Sequence, residues 1–220
     1  MTAKQKRQLP VWQESILLVA TAMVMAIVVK TFFLQAFYIP SESMEPTMLV
    51  NDKILVQKVS YWAGDVKRGD IVVFDDPGGW LGPEDSRRAS NPFQRALETV
   101  GLFPTGGHLI KRVIGVGGDE VKCCTDGKLT VNGTKLDEPY LLDESATKDK
   151  TFNVKVPEAY LWVMGDNRGN SADSREHMGD PGGGFISDKT IVGKAWLRVW
   201  PLGRSGFIRK PDTFQGINGG

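Results

Sequence analysis

The chain has 220 residues, which is enough for one medium-sized domain with an appendage. Its formal net charge of +1 gives no reason to expect a nucleic acid as partner. Hydrophobic residues make up 41% of the chain, which is ample for a core. The 25 glycines and 12 prolines indicate many turns and favour a β-rich fold over a helical bundle.

A basic segment and an apolar segment open the chain. Residues 1–10 carry three basic side chains and no acid, and Ile16–Val29 is apolar except at Thr21. Residues 14–33 supply the roughly 20 positions that a bilayer span needs. A buried core helix is disfavoured because the segment has no polar face, and a cleavable leader is disfavoured because bulky residues follow the run. We therefore expect a transmembrane anchor and interfacial segment in residues 11–38, with the basic N-terminus in the cytoplasm.

The sequence beyond the anchor changes to short β-branched runs separated by turns. Pairs such as Asp126-Gly127 and Asn132-Gly133 are typical of hairpins. The prediction is a mostly antiparallel β domain over residues 39–202, followed by a C-terminal tail at 203–220. Strands are expected at 53–59, 71–74, 108–116, 120–124, 129–131, 135–136, 152–156, 160–164 and 190–200.

Residues 76–107 form a long polar insertion in this β domain. Asn91-Pro92 is a plausible start for a helix within it. Such a helix is more often a packing element than a functional site, and its role stays open.

The sequence contains few residues from which a metal or cofactor site can be built. Cys123 and Cys124 are adjacent, so they form no CxxC motif, and we expect two thiols because a disulfide between neighbours is strained. The two histidines, His108 and His177, occur in no HExxH motif. No cofactor and no metal are therefore predicted.

Ser43 is the first candidate for chemistry. It lies in Pro40–Met48, PSESMEPTM, where Pro40 and Pro46 disfavour helical backbone on either side. A rigid serine suits a nucleophile, although a hydroxyl between prolines is usually a turn residue. No G-x-S-x-G elbow surrounds it.

Lys111 is the second candidate, because a neutral lysine can activate a serine. It stands in an apolar strand, and alternation places it on the same face as Leu109 and Val113. Burial on such a face lowers the pKa of an amine. The ordinary alternative is a lysine that snorkels to solvent or lies on an edge strand.

The third candidate is the polar segment Gly165–Arg175, GDNRGNSADSR. It is either a surface loop rich in Asx turns or a buried network that supports a site. In the second case Asp173 and Arg175 are a charge pair, and Ser171 positions another group.

Four motifs occur in a fixed order along the chain. They are PSESMEPT at 40–47, GDIVVF at 69–74, IKRVIGVGGD at 110–119 and GDNRGNSADSR at 165–175, with VGKA at 192–195 after them. Together with the N-terminal anchor, this set resembles the bacterial type I signal peptidases, which are membrane-bound serine–lysine endopeptidases. The resemblance covers residues 10–200, apart from the 76–107 insertion.

The resemblance implies an activity and a place for it. Ser43 would be the nucleophile and Lys111 the general base, and Ser41 with the Ser43 backbone N–H would form the oxyanion hole. The enzyme would remove signal peptides from secretory preproteins after Ala-x-Ala sites. It would sit in the bacterial plasma membrane as a single-pass protein, with its catalytic domain on the extracytoplasmic side of the bilayer.

The resemblance also implies supporting residues. Ser171 would hydrogen-bond the lysine, and Asp173 with Arg175 would form a salt bridge. Shallow substrate pockets would be lined by Phe37, Ile39, Met48 and Ile110.

Three features depart from the family pattern. Gly169 replaces an aspartate common in the polar loop, and Phe185-Ile186-Ser187 stands where Val-Pro is frequent. The segment between Lys111 and Gly165 is short, so the extra β domain of larger members must be reduced here.

Two other classes of function stay open from the sequence. A self-cleaving serine–lysine repressor is disfavoured by the apolar N-terminal segment. An inactive membrane-tethered β module is disfavoured because both Ser43 and Lys111 are present.

Overall fold

The structure is a computed structural model that describes residues 10–61, 64–82, 107–125 and 127–217. One α-helix, α1, spans Val11–Phe32. Short 3₁₀ helices lie at Glu42–Met44, Val59–Tyr61, Ser145–Asp149, Asp188–Thr190, Leu202–Arg204 and Asp212–Phe214. The strands are β1 (Leu34–Tyr38), β2 (Lys53–Gln57), β3 (Ile71–Asp75), β4 (His108–Val116), β5 (Glu120–Thr125), β6 (Lys128–Val131), β7 (Thr134–Lys135), β8 (Phe152–Lys155), β9 (Tyr160–Met164), β10 (Ile186–Ser187), β11 (Ile191–Trp200) and β12 (Gly206–Phe207).

These strands form two antiparallel sheets, so the predicted mostly β fold is confirmed. The larger sheet has the order β1-β2-β11-β3-β4-β9-β10, with β12 paired to β11. The smaller sheet has the order β7-β6-β5-β8. Strand β4 lies inside the larger sheet between β3 and β9 and is buried along most of its length. The strands of the smaller sheet lie within residues 120–155, in the short segment between Lys111 and Gly165.

The predicted hairpin at Asn132-Gly133 is confirmed. Both residues have positive φ, and Val131 pairs directly with Thr134 across the turn. Asp126 of the other predicted hairpin lies outside the described residues, as does the helix expected from Asn91-Pro92.

Strands β1, β10 and β12 were not predicted from the sequence. Residues 34–38 belong to the predicted interfacial segment, and they pair with β2 from Leu34↔Gln57 to Tyr38↔Lys53. The burial of β1 does not alternate cleanly along the strand. The sequence LQAFY does not alternate regularly between apolar and polar residues, so it gives no clear strand signal, and pairing with β2 decides its conformation.

Cys123 and Cys124 form a disulfide with each other, so the expectation of two thiols is wrong. The pairing of β5 with β6 shifts register between Lys122 and Thr125, which interrupts the usual alternation of side chains. Both sulfurs therefore lie on one side, 3.2 and 3.6 Å from the Thr147 carbonyl oxygen.

Helix α1 occupies the segment that was predicted to be an anchor. Among the residues whose side chains the structure describes, no helix meets the length and apolarity required to cross a membrane. The transmembrane anchor therefore stays a prediction.

Asp119 connects the parts of the β domain. It lies between β4 and β5, and its carboxylate accepts hydrogen bonds from the Arg68 guanidinium, the Asn132 side chain (2.9 Å) and the Val116 amide (2.8 Å). Arg68 also donates to the Ile217 carbonyl oxygen at 3.0 Å. One buried carboxylate thus joins the larger sheet, a hairpin of the smaller sheet and the C-terminal tail.

Asp119→Ala should destabilise the fold strongly, because it leaves the Arg68 guanidinium without its buried partner. A broken buried pair costs about 3–5 kcal/mol. The measurement is the free energy of unfolding in urea. Asp137→Ala is the matched control, because the Asp137 side chain is 78% exposed and pairs with Lys128 on the surface. Equal stability of both variants would contradict the role of Asp119.

Candidate active site

Ser43 lies in the middle of a short 3₁₀ turn, Glu42–Met44. The Glu45 amide closes this turn on the Glu42 carbonyl oxygen at 3.0 Å. The expectation of non-helical backbone around Ser43 is therefore wrong over these three residues. The turn is short enough to fit between Pro40 and Pro46, so neither proline ring enters it. It holds Ser43 with 7% of its surface exposed.

Lys111 is brought to Ser43 by strand β4. The side chain is only 4% exposed, and its Nζ lies 2.8 Å from the Ser43 Oγ. Because β4 is an inner strand, the alternative of a snorkelling or edge-strand lysine does not hold. Burial lowers the pKa of Lys111 from 10.5 to about 8, although the charges of Asp173 and Asp166 oppose this shift. The geometry gives a serine hydroxyl in contact with an amine that deprotonates readily.

Ser41 stands beside this pair. Its Oγ lies 3.3 Å from the Ser43 Oγ. The Ser41 side chain is exposed, whereas Ser43 and Lys111 are buried. The three groups therefore meet at a point that a ligand can reach from solvent.

The polar segment after β9 is a buried network, as one of the two interpretations predicted. Arg175 donates to both oxygens of Asp173 at 2.9 Å, and the Gly165 amide donates to Asp173 at 3.0 Å. Burial alone would raise the pKa of Asp173, but the bonds from Arg175 and Gly165 outweigh it and lower the pKa below its usual value. Asp173 is therefore a fixed negative charge near Lys111.

Ser171 does not make the predicted hydrogen bond to Lys111. Its buried Oγ has no hydrogen-bond partner in the part of the chain that the structure describes. The hydroxyl faces Gly165 instead, and a Cβ built there would lie 2.3 Å from it. Only glycine at 165 leaves room for Ser171 at this distance.

The same network contains contacts that were not predicted from the sequence. The Asn167 amide donates to the Ser43 carbonyl oxygen at 3.1 Å, and the Asn167 side chain donates to the Glu42 carbonyl oxygen at 3.2 Å. Asn167 belongs to the polar motif, but nothing local indicates that it binds the serine turn. The polar loop thus fixes the backbone of the nucleophile candidate.

Asp166 adds a second connection. It accepts two hydrogen bonds from Arg112, at 2.7 and 2.6 Å, and one from the Thr47 hydroxyl at 2.5 Å. Arg112 directly follows Lys111, and Thr47 follows the serine turn. The position of Arg112 directly after Lys111 was the sequence feature that could have indicated the Arg112–Asp166 pair.

The four predicted substrate-binding residues come together in one apolar cluster. Within this cluster Phe37 is partly exposed and the other three are buried, so these side chains form packed core and not an open cavity. A cavity of about 620 Å³ lies elsewhere, at the carboxyl end of β4, and no predicted site residue lines it. The four predicted residues are Phe37, Ile39, Met48 and Ile110, and the same cluster contains Met44 of the serine turn.

The histidines have contacts of their own. His108 Nδ1 lies 3.0 Å from Asp75, and the His108 ring packs edge-on against Phe37. His177 stacks on Trp80, with ring centroids 4.3 Å apart. Within residues 10–61, 64–82, 107–125 and 127–217, no cluster of three or more His, Cys, Asp or Glu side chains is suited to a metal ion.

Comparisons with known proteins agree with the arrangement of motifs. The signal peptidase family, peptidase S26, matches residues 12–200. A probable signal peptidase I of Mycobacterium leprae is 38% identical and aligns over 97% of this chain and 84% of its own length. Signal peptidase I of Mycobacterium tuberculosis is 40% identical, over 93% of this chain and 78% of its own. Signal peptidase I U of Bacillus subtilis is 32% identical, over 92% and 94%.

A crystal structure of signal peptidase I from Enterococcus faecalis is a weaker match. It is 26% identical, covers 59% of this chain and 96% of that one, and has a TM-score of 0.37. The family model and the three relatives, each at least 32% identical over most of both chains, carry the assignment. The chain therefore belongs to the signal peptidase family, peptidase S26.

Proposed function

We propose that this protein removes signal peptides from secreted preproteins with Ser43 as nucleophile and Lys111 as general base. The observation that carries the proposal is the 2.8 Å distance between the Lys111 Nζ and the Ser43 Oγ, with both side chains buried. This distance is within the range for direct proton transfer. Family membership supports the reaction, since the relatives are named signal peptidase I.

The chemical steps follow from this pair. Neutral Lys111 takes the proton of the Ser43 hydroxyl as its oxygen attacks the carbonyl carbon of the scissile bond. The ammonium then returns the proton to the leaving amine, and an ester with Ser43 remains. Water, deprotonated by the same lysine, hydrolyses this ester and frees the serine.

The developing oxyanion needs donors. The Ser43 backbone N–H and the Ser41 hydroxyl are the proposed pair, and the position of Ser41 next to the Ser43 Oγ supports this. Such a donor contributes about 3–4 kcal/mol to the stabilisation of the transition state. Asp173 and Arg175 would hold the loop that carries Ser171, and Ser171 would pack against Gly165 to keep that loop close to Ser43.

Specificity for small side chains is proposed to come from the apolar cluster that contains Phe37, Ile39, Met48 and Ile110. These four side chains are proposed to line shallow pockets for the alanines of an Ala-x-Ala site, because they pack with Met44 of the serine turn and leave little room for a larger side chain. The substrate is proposed to lie extended along the sheet, as in strand addition. The products of such cleavage would be a mature protein and its leader peptide.

Ser43→Ala and Lys111→Met should each reduce cleavage of a preprotein with an Ala-x-Ala site by at least about 10³-fold, because each removes one half of the dyad. Cleavage is followed by gel electrophoresis, and the product is identified by N-terminal sequencing. Ser205→Ala and Lys155→Met are matched controls on exposed residues and should cleave as the wild type does. Activity that survives Lys111→Met but is lost in His108→Ala would point to a histidine base.

The rate should rise with pH. Only neutral Lys111 accepts a proton, and burial sets its pKa at about 8. Below that pKa the neutral fraction falls about tenfold for each pH unit. The measurement is kcat/KM between pH 6 and pH 10, which should be half-maximal near pH 8, with circular dichroism at each pH to verify folding. A flat profile from pH 6 to pH 8 would exclude Lys111 as the base.

Helix α1 is proposed to anchor the protein in the bacterial plasma membrane. Its large apolar side chains from Ile16 to Ile27 are between 50% and 67% exposed, and a bilayer would cover them. Residues 1–10 would stay in the cytoplasm and residues 39–202 would lie outside. Preproteins present their apolar leaders at this same membrane.

The full-length chain should remain in the membrane pellet after an alkaline carbonate wash. Replacing both Leu18 and Val24 with arginine should move it to the supernatant, because a charge at the centre of a spanning helix costs about 2.5–3.5 kcal/mol. The control replaces Leu142 and Leu202 with arginine. Both leucines are exposed in the part of the chain after the helix, so this variant should stay in the pellet. Wild-type protein in the supernatant would contradict the anchor.

A further inference from the structure

The C-terminal segment Asp212–Ile217 lies beyond residues 12–200, where the family matches, yet it packs into the core. Phe214 is 4% exposed and belongs to the apolar cluster between the two sheets, as does Ile217. The sequence predicted only a tail for this region. A segment this deeply buried contributes to the structure of the domain.

Hydrogen bonds hold the segment at both ends. The Thr213 hydroxyl accepts a bond of 2.8 Å from the Asp137 amide, which follows the smaller sheet. The Ile217 carbonyl oxygen accepts a bond of 3.0 Å from Arg68, which precedes β3 of the larger sheet. The segment therefore bridges the two sheets, with Phe214 between the two attachments.

The Phe214 ring contacts two groups that bind Arg112. It stacks against Tyr140 with centroids 6.4 Å apart, and the Arg112 Cζ lies 4.2 Å from the centre of the Tyr140 ring. It also lies against Gly69, since a Cβ built on Gly69 would be 2.6 Å from the Phe214 Cδ2. The Gly69 carbonyl oxygen accepts a bond of 3.0 Å from Arg112.

Arg112 in turn connects both halves of the dyad. It follows Lys111 in β4, and it holds Asp166 through two hydrogen bonds. Asp166 accepts from Thr47, just beyond the serine turn, and the next residue, Asn167, binds the Ser43 carbonyl oxygen. A shift of the Arg112 guanidinium would therefore move the serine turn relative to the amine.

We propose that Phe214 is a positioning residue for the reaction. It fixes the Arg112 guanidinium through Tyr140 and Gly69, and it thereby keeps the Ser43 hydroxyl in contact with the Lys111 amine. This inference rests on the proposed function, because it requires that Ser43 and Lys111 react together. It assigns a role to a segment outside the matched family region. Phe214 touches neither reacting atom.

The test compares Phe214→Ala with Phe207→Ala in the full-length protein. Phe207 is the matched control, because it comes from the same C-terminal region and is 69% exposed. Both kcat and KM are measured on the Ala-x-Ala preprotein and corrected for the folded fraction found by circular dichroism. Phe214→Ala should lower kcat by about 10-fold to 10²-fold with KM changed less than about twofold, since a misplacement of 1 Å has an effect of this order. Phe207→Ala should match the wild type.

The pH profile separates positioning from stability. A loosened Arg112 offsets less of the Asp166 charge, and that charge favours the ammonium form of Lys111, so the half-maximal pH of Phe214→Ala should move upward from about 8 toward 10.5. A variant that is merely less stable keeps the wild-type profile once the folded fraction is corrected. If the alanine variant does not fold, the same measurements are made on Phe214→Leu, because leucine fills most of the space of the Phe214 ring. This variant should show a smaller fall in kcat in the same direction.

Wild-type kcat and an unchanged pH profile in the folded fraction of both Phe214 variants would overturn this inference while leaving the dyad intact. If the wild-type protein itself does not cleave the preprotein, the proposed function fails first. A fall of the same size in Phe207→Ala would also overturn the inference, because the effect would then not depend on Arg112.

Discussion

The burial of one amine is the constraint around which the site is arranged. Lys111 lies on an inner strand, where the loss of hydration favours its neutral form. Two carboxylates, Asp166 and Asp173, lie close enough to favour the ammonium instead. Each is already bound by an arginine, Arg112 or Arg175, which offsets much of its charge. The Lys111 amine therefore deprotonates at a lower pH than an exposed lysine, although two carboxylates lie near it.

The arginine pairs also determine the shape of the loop after β9. A third buried pair, Arg168 with Glu138, ties this loop to the segment that follows β7, and Arg168 also donates to the Gly165 carbonyl oxygen at 2.9 Å. Buried ion pairs add little net stability compared with apolar packing, but each one requires a particular geometry. Three such pairs restrict the loop to one arrangement, in which Asn167 meets the backbone of Ser43.

The sequence allowed a correct prediction where the chemistry of a residue and its neighbours along the chain indicates its role. Ser43 and Lys111 are 68 positions apart, and motif order together with the apolar neighbours of Lys111 was enough to pair them. The polar loop and most strands were likewise predictable. Tyr140 and Phe214 were not, because a single aromatic in a turn carries no period and its partners are set by tertiary packing. Strand β1 and the 3₁₀ turn at Ser43 were missed for the same reason, since neighbouring strands and loops determine them.

The connection after strand β7 of the smaller sheet supplies residues that contact the arginines near the site. Tyr140 and Glu138 both come from the connection after β7, and the Tyr140 hydroxyl donates to Glu138 at 2.5 Å. Burial raises the pKa of Tyr140 well above 10, so this hydroxyl keeps its proton and remains a donor at neutral pH. The two residues cover Arg112 and Arg168 from one side. The lysine lies on the larger sheet and the serine on the turn between β1 and β2, whereas Arg112 and Arg168 are covered by residues that follow strand β7 of the smaller sheet. Because these arginines bind the loop that holds the serine turn, the geometry of the pair depends on the docking of the smaller sheet.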